Sequence, residues 1–284
     1  MCSHSTHPGR LAALVLCLLV AGCTTQNGIS VNEENKDRSA TTTHTRESSA
    51  EPQTDIFLLL ENETIDLDRI DALIDSGVDL NARHPNGMTP LMYASASARD
   101  PAVIGQLIEA GAALESRSDL GSTALMIAAS LNLNLEIHAV LLEHDADIHA
   151  KDGAGLTALA IASGDNSNPE VVRLLIEKGS DIESRDRIGM TPIFYAVANN
   201  PDPMITSLLI EANAKLDISL PNGLTPLMMA AARATRPEVI ELLLDAGADI
   251  RRADAMGRNG MTYLLQNTSL SESEVVDLLR RSSP

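Results

Sequence analysis

Three histidines, His138, His144 and His149, and three cysteines, Cys2, Cys17 and Cys23, are the residues of this sequence best suited to hold a metal or supply a nucleophile. Their spacing argues against both roles. Zinc held from one helix uses side chains at i and i+4, which share a face, whereas these histidines stand six and five residues apart. The cysteines form no C-x-x-C pair, and the sequence has no phosphate-cradling glycine loop and no G-x-S-x-G elbow. The histidines read as solvated side chains. No metal, cofactor or catalytic group is expected, and the chain reads as a non-enzyme whose remaining chemistry is the thiol of Cys23 and whose remaining function is surface recognition.

The bulk composition narrows the recognition. A formal net charge of −18 excludes nucleic acid as a natural partner, because backbone phosphates reward Lys and Arg. The sequence is 44% hydrophobic but only 2% aromatic, with no Trp, so its apolar mass is Ala, Leu, Ile, Val and Met. Such residues suit helices packed closely together.

At the N-terminus, the apolar run LAALVLCLLVAG from Leu11 to Gly22 is too short to span a bilayer and fits a signal-peptide core over residues 1–22. The word VAGC, with small Ala21 and Gly22 before Cys23, resembles the lipobox of bacterial lipoproteins. That resemblance implies cleavage before Cys23, lipidation of its thiol (with palmitate or a similar acyl chain on the new amine) and anchorage in a membrane. A plain cleaved signal is the other reading. Thr24, where the family's inner-membrane retention signal has Asp, points to the outer membrane facing the periplasm. Residues 23–54 carry few large apolar side chains and no periodicity, and read as a disordered tether. A flexible chain of that length spans about 30 Å root mean square.

Beyond it the sequence repeats itself. Gly87, Gly121, Gly155, Gly189, Gly223 and Gly257 are each 34 residues apart, followed by words such as GMTPLMYA, GSTALMIA and GLTPLMMA. A second series, Gly77, Gly111, Asp145, Gly179, Asn213 and Gly247, keeps the same interval within words such as LIEAGAALESR and LLDAGADIRRA. In one unit, Thr225 is placed to cap a helix that Pro226 opens, with Leu227, Ala230 and Ala231 as its apolar stripe. Val239, Ile240, Leu243 and Leu244 make the stripe of a second helix, which Gly247 ends in the left-handed conformation. Pro101, Pro169, Pro203 and Pro237 share the phase at which that second helix starts; Asp100, Asn134, Asn168 and Asp202 supply its N-cap.

These words resemble the ankyrin repeat, with its TPLHLA inner helix and its LLLEAGADVNA outer helix and hairpin. The resemblance covers residues 55–284 and implies an all-α solenoid with short β-hairpin fingers, about seven helix pairs including degenerate caps. It also implies a non-catalytic protein-binding module whose concave face and finger tips meet a partner. Two departures stand out. Each unit has one residue more than the common 33, placed at the turn between helices, and Met92, Met126, Ala160, Phe194 and Met228 replace the family's histidine. These five read as core filler, with a pliable binding surface as the alternative. At the array's ends, Asp66 and the Ser271/Glu274 pair are expected to cap polar terminal units.

In the resemblance, the residue four before each repeat glycine projects from the finger toward a partner. Here those residues are Arg83, Arg117, Lys151 and Arg185, a basic row on an acidic chain. Either the row recognises a partner or each cation is balanced by Glu115, Asp152, Glu183 or Asp186 nearby. Tyr93 and Tyr195 share one inner-helix phase and are either packed or partner anchors. The expected partner is another envelope or periplasmic protein. The alternative function is an inhibitor or immunity factor that occludes a periplasmic enzyme or toxin.

Overall fold

The computed structural model describes residues 52–60 and 65–281, so residues 1–51, with the expected leader and lipidated Cys23, lie outside the described residues. Within them are fourteen α-helices in seven antiparallel pairs. The inner helices are α1 (Pro52–Leu60), α3 (Pro90–Ser97), α5 (Ala124–Leu131), α7 (Ala158–Asp165), α9 (Pro192–Asn199), α11 (Pro226–Arg233) and α13 (Gly260–Gln266). The outer helices are α2 (Leu67–Asp75), α4 (Ala102–Glu109), α6 (Leu135–Glu143), α8 (Pro169–Glu177), α10 (Pro203–Glu211), α12 (Glu238–Asp245) and α14 (Glu272–Arg281). Each inner helix packs on the inner helices of its neighbours and on its own outer partner, the one-dimensional stack expected of a solenoid. None of these helices is long and apolar enough to cross a membrane.

The local signals act as their types predict. The hydroxyls of Thr157 and Thr225 accept the amides of Ala160 and Met228 at 3.3 and 3.2 Å. Asp66, Asp100, Asn134, Asn168 and Asp202 cap the outer helices by accepting the amide two residues on. Asp145 and Asn213 adopt φ near +65° at the positions that Gly77, Gly111, Gly179 and Gly247 hold elsewhere. Met92, Met126, Ala160, Phe194 and Met228 are all at most 3% exposed, so they fill the core.

The turns between the helices carry a ladder of asparagines. Asn132, Asn166, Asn200 and Asn267 end their inner helices, buried, and donate from Nδ2 to carbonyls of the preceding unit at 2.9 to 3.1 Å. Each also accepts, through Oδ1, the amide two residues ahead, which fixes the entry to the outer helix. The inter-helix turn is thus held across units.

The fingers are tighter than the expected β-hairpins: among the described residues the only β-pairing is an isolated bridge between Ala253 and Asn259. A physical reason is visible at their bases. One amide crosses each finger, as from Asp152 to the Leu156 carbonyl and from Asp186 to the Met190 carbonyl. The returning amides of Leu156 and Met190, which a ladder would pair, are taken instead by the carboxylates of Asp152 and Asp186 at 2.8 Å. Adjacent fingers join directly, Gly153 N to Leu120 O and Arg187 N to Ala154 O. That approach requires glycine: at Gly121, with φ +81°, a Cβ would lie 2.8 Å from the Gly153 nitrogen.

Candidate functional site

Stacking at about one helix diameter per unit, roughly 10 Å, brings the finger cations into one row. The structure places Arg83, Arg117, Lys151 and Arg185 together as expected, all exposed, and shows what holds them. Arg83 donates through Nη1 to the carbonyl of Arg117 at 2.6 Å, Arg117 to that of Lys151 at 2.6 Å, and Lys151 to that of Arg185 at 2.8 Å. The first three cations are each stapled to the residue one unit ahead, while Arg185 donates to the Gly189 carbonyl of its own finger at 3.4 Å. Where the phase passes to Ser219 and Ala253, Arg252 reaches back instead to the Asp217 carbonyl.

Local balancing of charge is not what the geometry shows. Arg83 pairs with Asp119 at 2.8 Å, but both side chains are half exposed or more, and such pairs contribute about 0–1 kcal/mol. Among the described residues no carboxylate pairs with Arg117, Lys151 or Arg185. The acids beside them are occupied with backbone: Glu115 and Glu183 accept the amides of Asp147 and Lys215, and Asp152 and Asp186 close their own turns. The side chains are ordered and their charge faces solvent.

Beside the cations the finger tips are apolar. Leu120, Ile188 and Met256, each just before a repeat glycine, are 48%, 62% and 77% exposed. Sequence reasoning passed over them. The available signal was a bulky apolar residue in a turn position where other units have Asn86, Ala154 and Asn222.

The tyrosines connect fingers to helices. Tyr195 donates to Asp186 Oδ2 at 2.5 Å, and Tyr263 to Asp254 Oδ2 at 2.6 Å, each nine residues back. In these two units the tie links the finger to the inner helix. Tyr93, by contrast, is buried against Phe57 and His84, with its hydroxyl 2.9 Å from His84 Nδ1, so its ring is packed and does not present itself to a partner. Tyr195 stays half-buried. Burial and the Asp186 hydrogen bond push its phenol well up, while the Tyr263 hydroxyl, first among several donors, holds Asp254 far below the usual carboxylate range. Near Tyr195, at the end of α7, burial raises Asp165 to about 6, against a hydrogen bond from Ser130.

The histidines correct one expectation. His149 is exposed and His144 half-buried, but His138 has no exposed surface and sets Nδ1 3.0 Å from the Asn134 carbonyl oxygen. It occupies the outer-helix phase of Ile104 and Val172, which the interior claims in every unit. Burial lowers its imidazole below the ordinary value, with the Asn134 bond opposing. No group of three or more His, Cys, Asp or Glu side chains among the described residues is arranged to hold a metal ion.

Comparison with known proteins agrees with this architecture. The family described as ankyrin repeats (3 copies) matches residues 56–152 and 151–219, and the single ankyrin repeat matches 222–255. Among solved structures, the crystal structure of the ankyrin repeat domain of Bcl-3, titled a unique member of the IkappaB protein family, is similar with a TM-score of 0.61. The alignment has 24% identity and covers 79% of this chain and 97% of that one, a likeness of fold. No curated protein matches the chain.

Proposed function

This chain belongs to the ankyrin-repeat family, and we propose that it is a non-catalytic adaptor, anchored to the bacterial envelope through Cys23, that binds a partner protein along its finger edge and concave face. Ankyrin repeats bind other proteins, so the chain is a protein–protein interaction module. The observation that carries the finer reading is the finger row: Arg117, Lys151 and Arg185 are exposed, the first two bonded to the next unit's carbonyls and Arg185 to the Gly189 carbonyl of its own finger, and they are opposed by no carboxylate among the described residues. Side chains already ordered before binding lose less freedom on contact, which favours recognition at this edge. Leu120 and Ile188 add apolar contact beside the cations. The anchoring part of the reading rests on the VAGC word and the apolar run before it.

Two measurements test the proposal. Affinity capture from cross-linked envelopes, run with the chain and with Arg83, Arg117, Lys151 and Arg185 all changed to Glu, should lose one major species with the variant. An identical captured set would remove the row from the reading. Cys23→Ser should move the protein out of the membrane fraction, and firm membrane association of that variant would overturn the anchor.

A further inference from the structure

The finger cations keep hydrogen-bonding capacity that the stack leaves unused. Arg117 bonds the Gly121 and Lys151 carbonyls through Nη1, and Arg185 bonds the Gly189 carbonyl through Nη1, so each guanidinium keeps Nε and Nη2 for a carboxylate. Lys151 spends one ammonium proton on the Arg185 carbonyl and keeps the others. Leu120 and Ile188, each three residues beyond its cation, are 48% and 62% exposed, and the small Ala154 stands between them. Arg83, at the start of the row, already holds Asp119, so the open stretch is the three fingers of Arg117, Lys151 and Arg185. At one helix diameter per unit, these fingers offer a cation about every 10 Å and a large apolar side chain about every 20 Å.

We infer that this stretch docks an acidic amphipathic α-helix of the partner, laid along the fingers with carboxylates seven residues apart; the inference rests on the finger edge being the recognition surface. Spacing decides between the conformations a partner segment could bring. A helix repeats one face every seven residues, about 10.5 Å along its axis, with a drift of only about 20°. A strand repeats one face at about 6.7 or 13.4 Å, and neither interval matches. Strand addition would also need an open edge, whereas the Gly153 and Arg187 amides and the Leu120 and Ala154 carbonyls are already paired between fingers. A polyproline segment repeats at about 9.3 Å but seats against aromatic rings, and residues 117–122, 151–156 and 185–190 contain none. Carboxylates at i, i+7 and i+14 of a helix meet Arg117, Lys151 and Arg185, and apolar residues on the adjoining stripe meet Leu120 and Ile188. The net charge of −18 repels such a helix from the rest of the surface, which favours the row over other sites.

Two Ala-rich synthetic peptides of about 21 residues, long enough to hold a helix and matched in composition, charge and helicity, test this against the full chain in mild detergent. One sets Glu at seven-residue intervals with Leu on the adjoining stripe. The other moves the Glu residues to five-residue intervals, which scatters them around the helix. Fluorescence anisotropy should show the first peptide binding about tenfold or more tightly than the second. Lys151→Gln and Ile188→Ser, both at exposed sites, should each weaken binding of the first peptide about threefold or more. Equal affinity for the two peptides overturns the inference, since it reports charge alone, and tighter binding of a proline-interrupted peptide of the same charge does so too. Binding of neither peptide also overturns it; if envelope capture then still depends on the four cations, the finger edge stands as the recognition surface and the partner's helix falls.

Discussion

Asn166 donates from Nδ2 to the carbonyl of Asn132, one unit earlier, at 3.1 Å, and through the same nitrogen to Ala129 at 3.0 Å. Its Oδ1 accepts the amide of Asn168 at 2.9 Å, so one buried carboxamide fastens two units and starts an outer helix. Asn166→Ala leaves these backbone groups unsatisfied and should destabilise the array by about 1–3 kcal/mol. Urea unfolding followed by circular dichroism measures it.

The ladder has a gap at Ala234, which holds the asparagine's place with an extended backbone of φ −57° and ψ 133°. Ala234→Asn should add a rung to Asn200 and Val197 and stabilise by about 0.5–1.5 kcal/mol. A lower midpoint in the same unfolding experiment would show that the site lacks room for the carboxamide.

Asp145 carries a left-handed backbone, φ +65°, without the freedom of glycine. Asp145→Gly should stabilise by about 1 kcal/mol, the strain relieved exceeding the entropy that glycine adds to the unfolded chain. Gly121→Ala should act in the opposite sense and more strongly, because its Cβ meets the next finger's backbone at 2.8 Å.

Two buried groups give opposite pH dependences. Asp165, raised to about 6 from 3.8, binds more protons folded than unfolded between those values, so its stabilising contribution is full in acid and lost as pH rises through 6. Asp165→Asn should therefore melt higher than the parent at pH 7.5, with the difference vanishing near pH 4. His138 is lowered from 6.5, so its contribution is present above that value and lost as pH falls below it. His138→Leu should flatten the acid side of the profile, and melting temperatures across pH 4–8 test both signs.

Much of this fold was readable because each unit writes its local rules in full. The left-handed positions, the Asn/Asp caps of the outer helices and the prolines at their starts follow from single residue types at a fixed phase. The finger row was readable as a row, but its hydrogen bonds were not, since the acceptors are carbonyls brought near only by the spacing between units. The burial of His138 was there to be counted from Ile104 and Val172, yet its polarity outweighed its phase. Tyr195 and Asp186 likewise meet nine residues apart across a turn whose path one unit of sequence does not reveal.

The most direct test of the finger edge as the recognition surface is the dissociation constant of the captured partner, measured by titration calorimetry. The chain is to be compared with the variant in which Arg83, Arg117, Lys151 and Arg185 become Glu, with helicity checked by circular dichroism. Binding weakened about tenfold or more at unchanged helicity, with a salt dependence that disappears in the variant, is the result expected of exposed charges that steer and hold a partner. An unchanged constant would contradict the account.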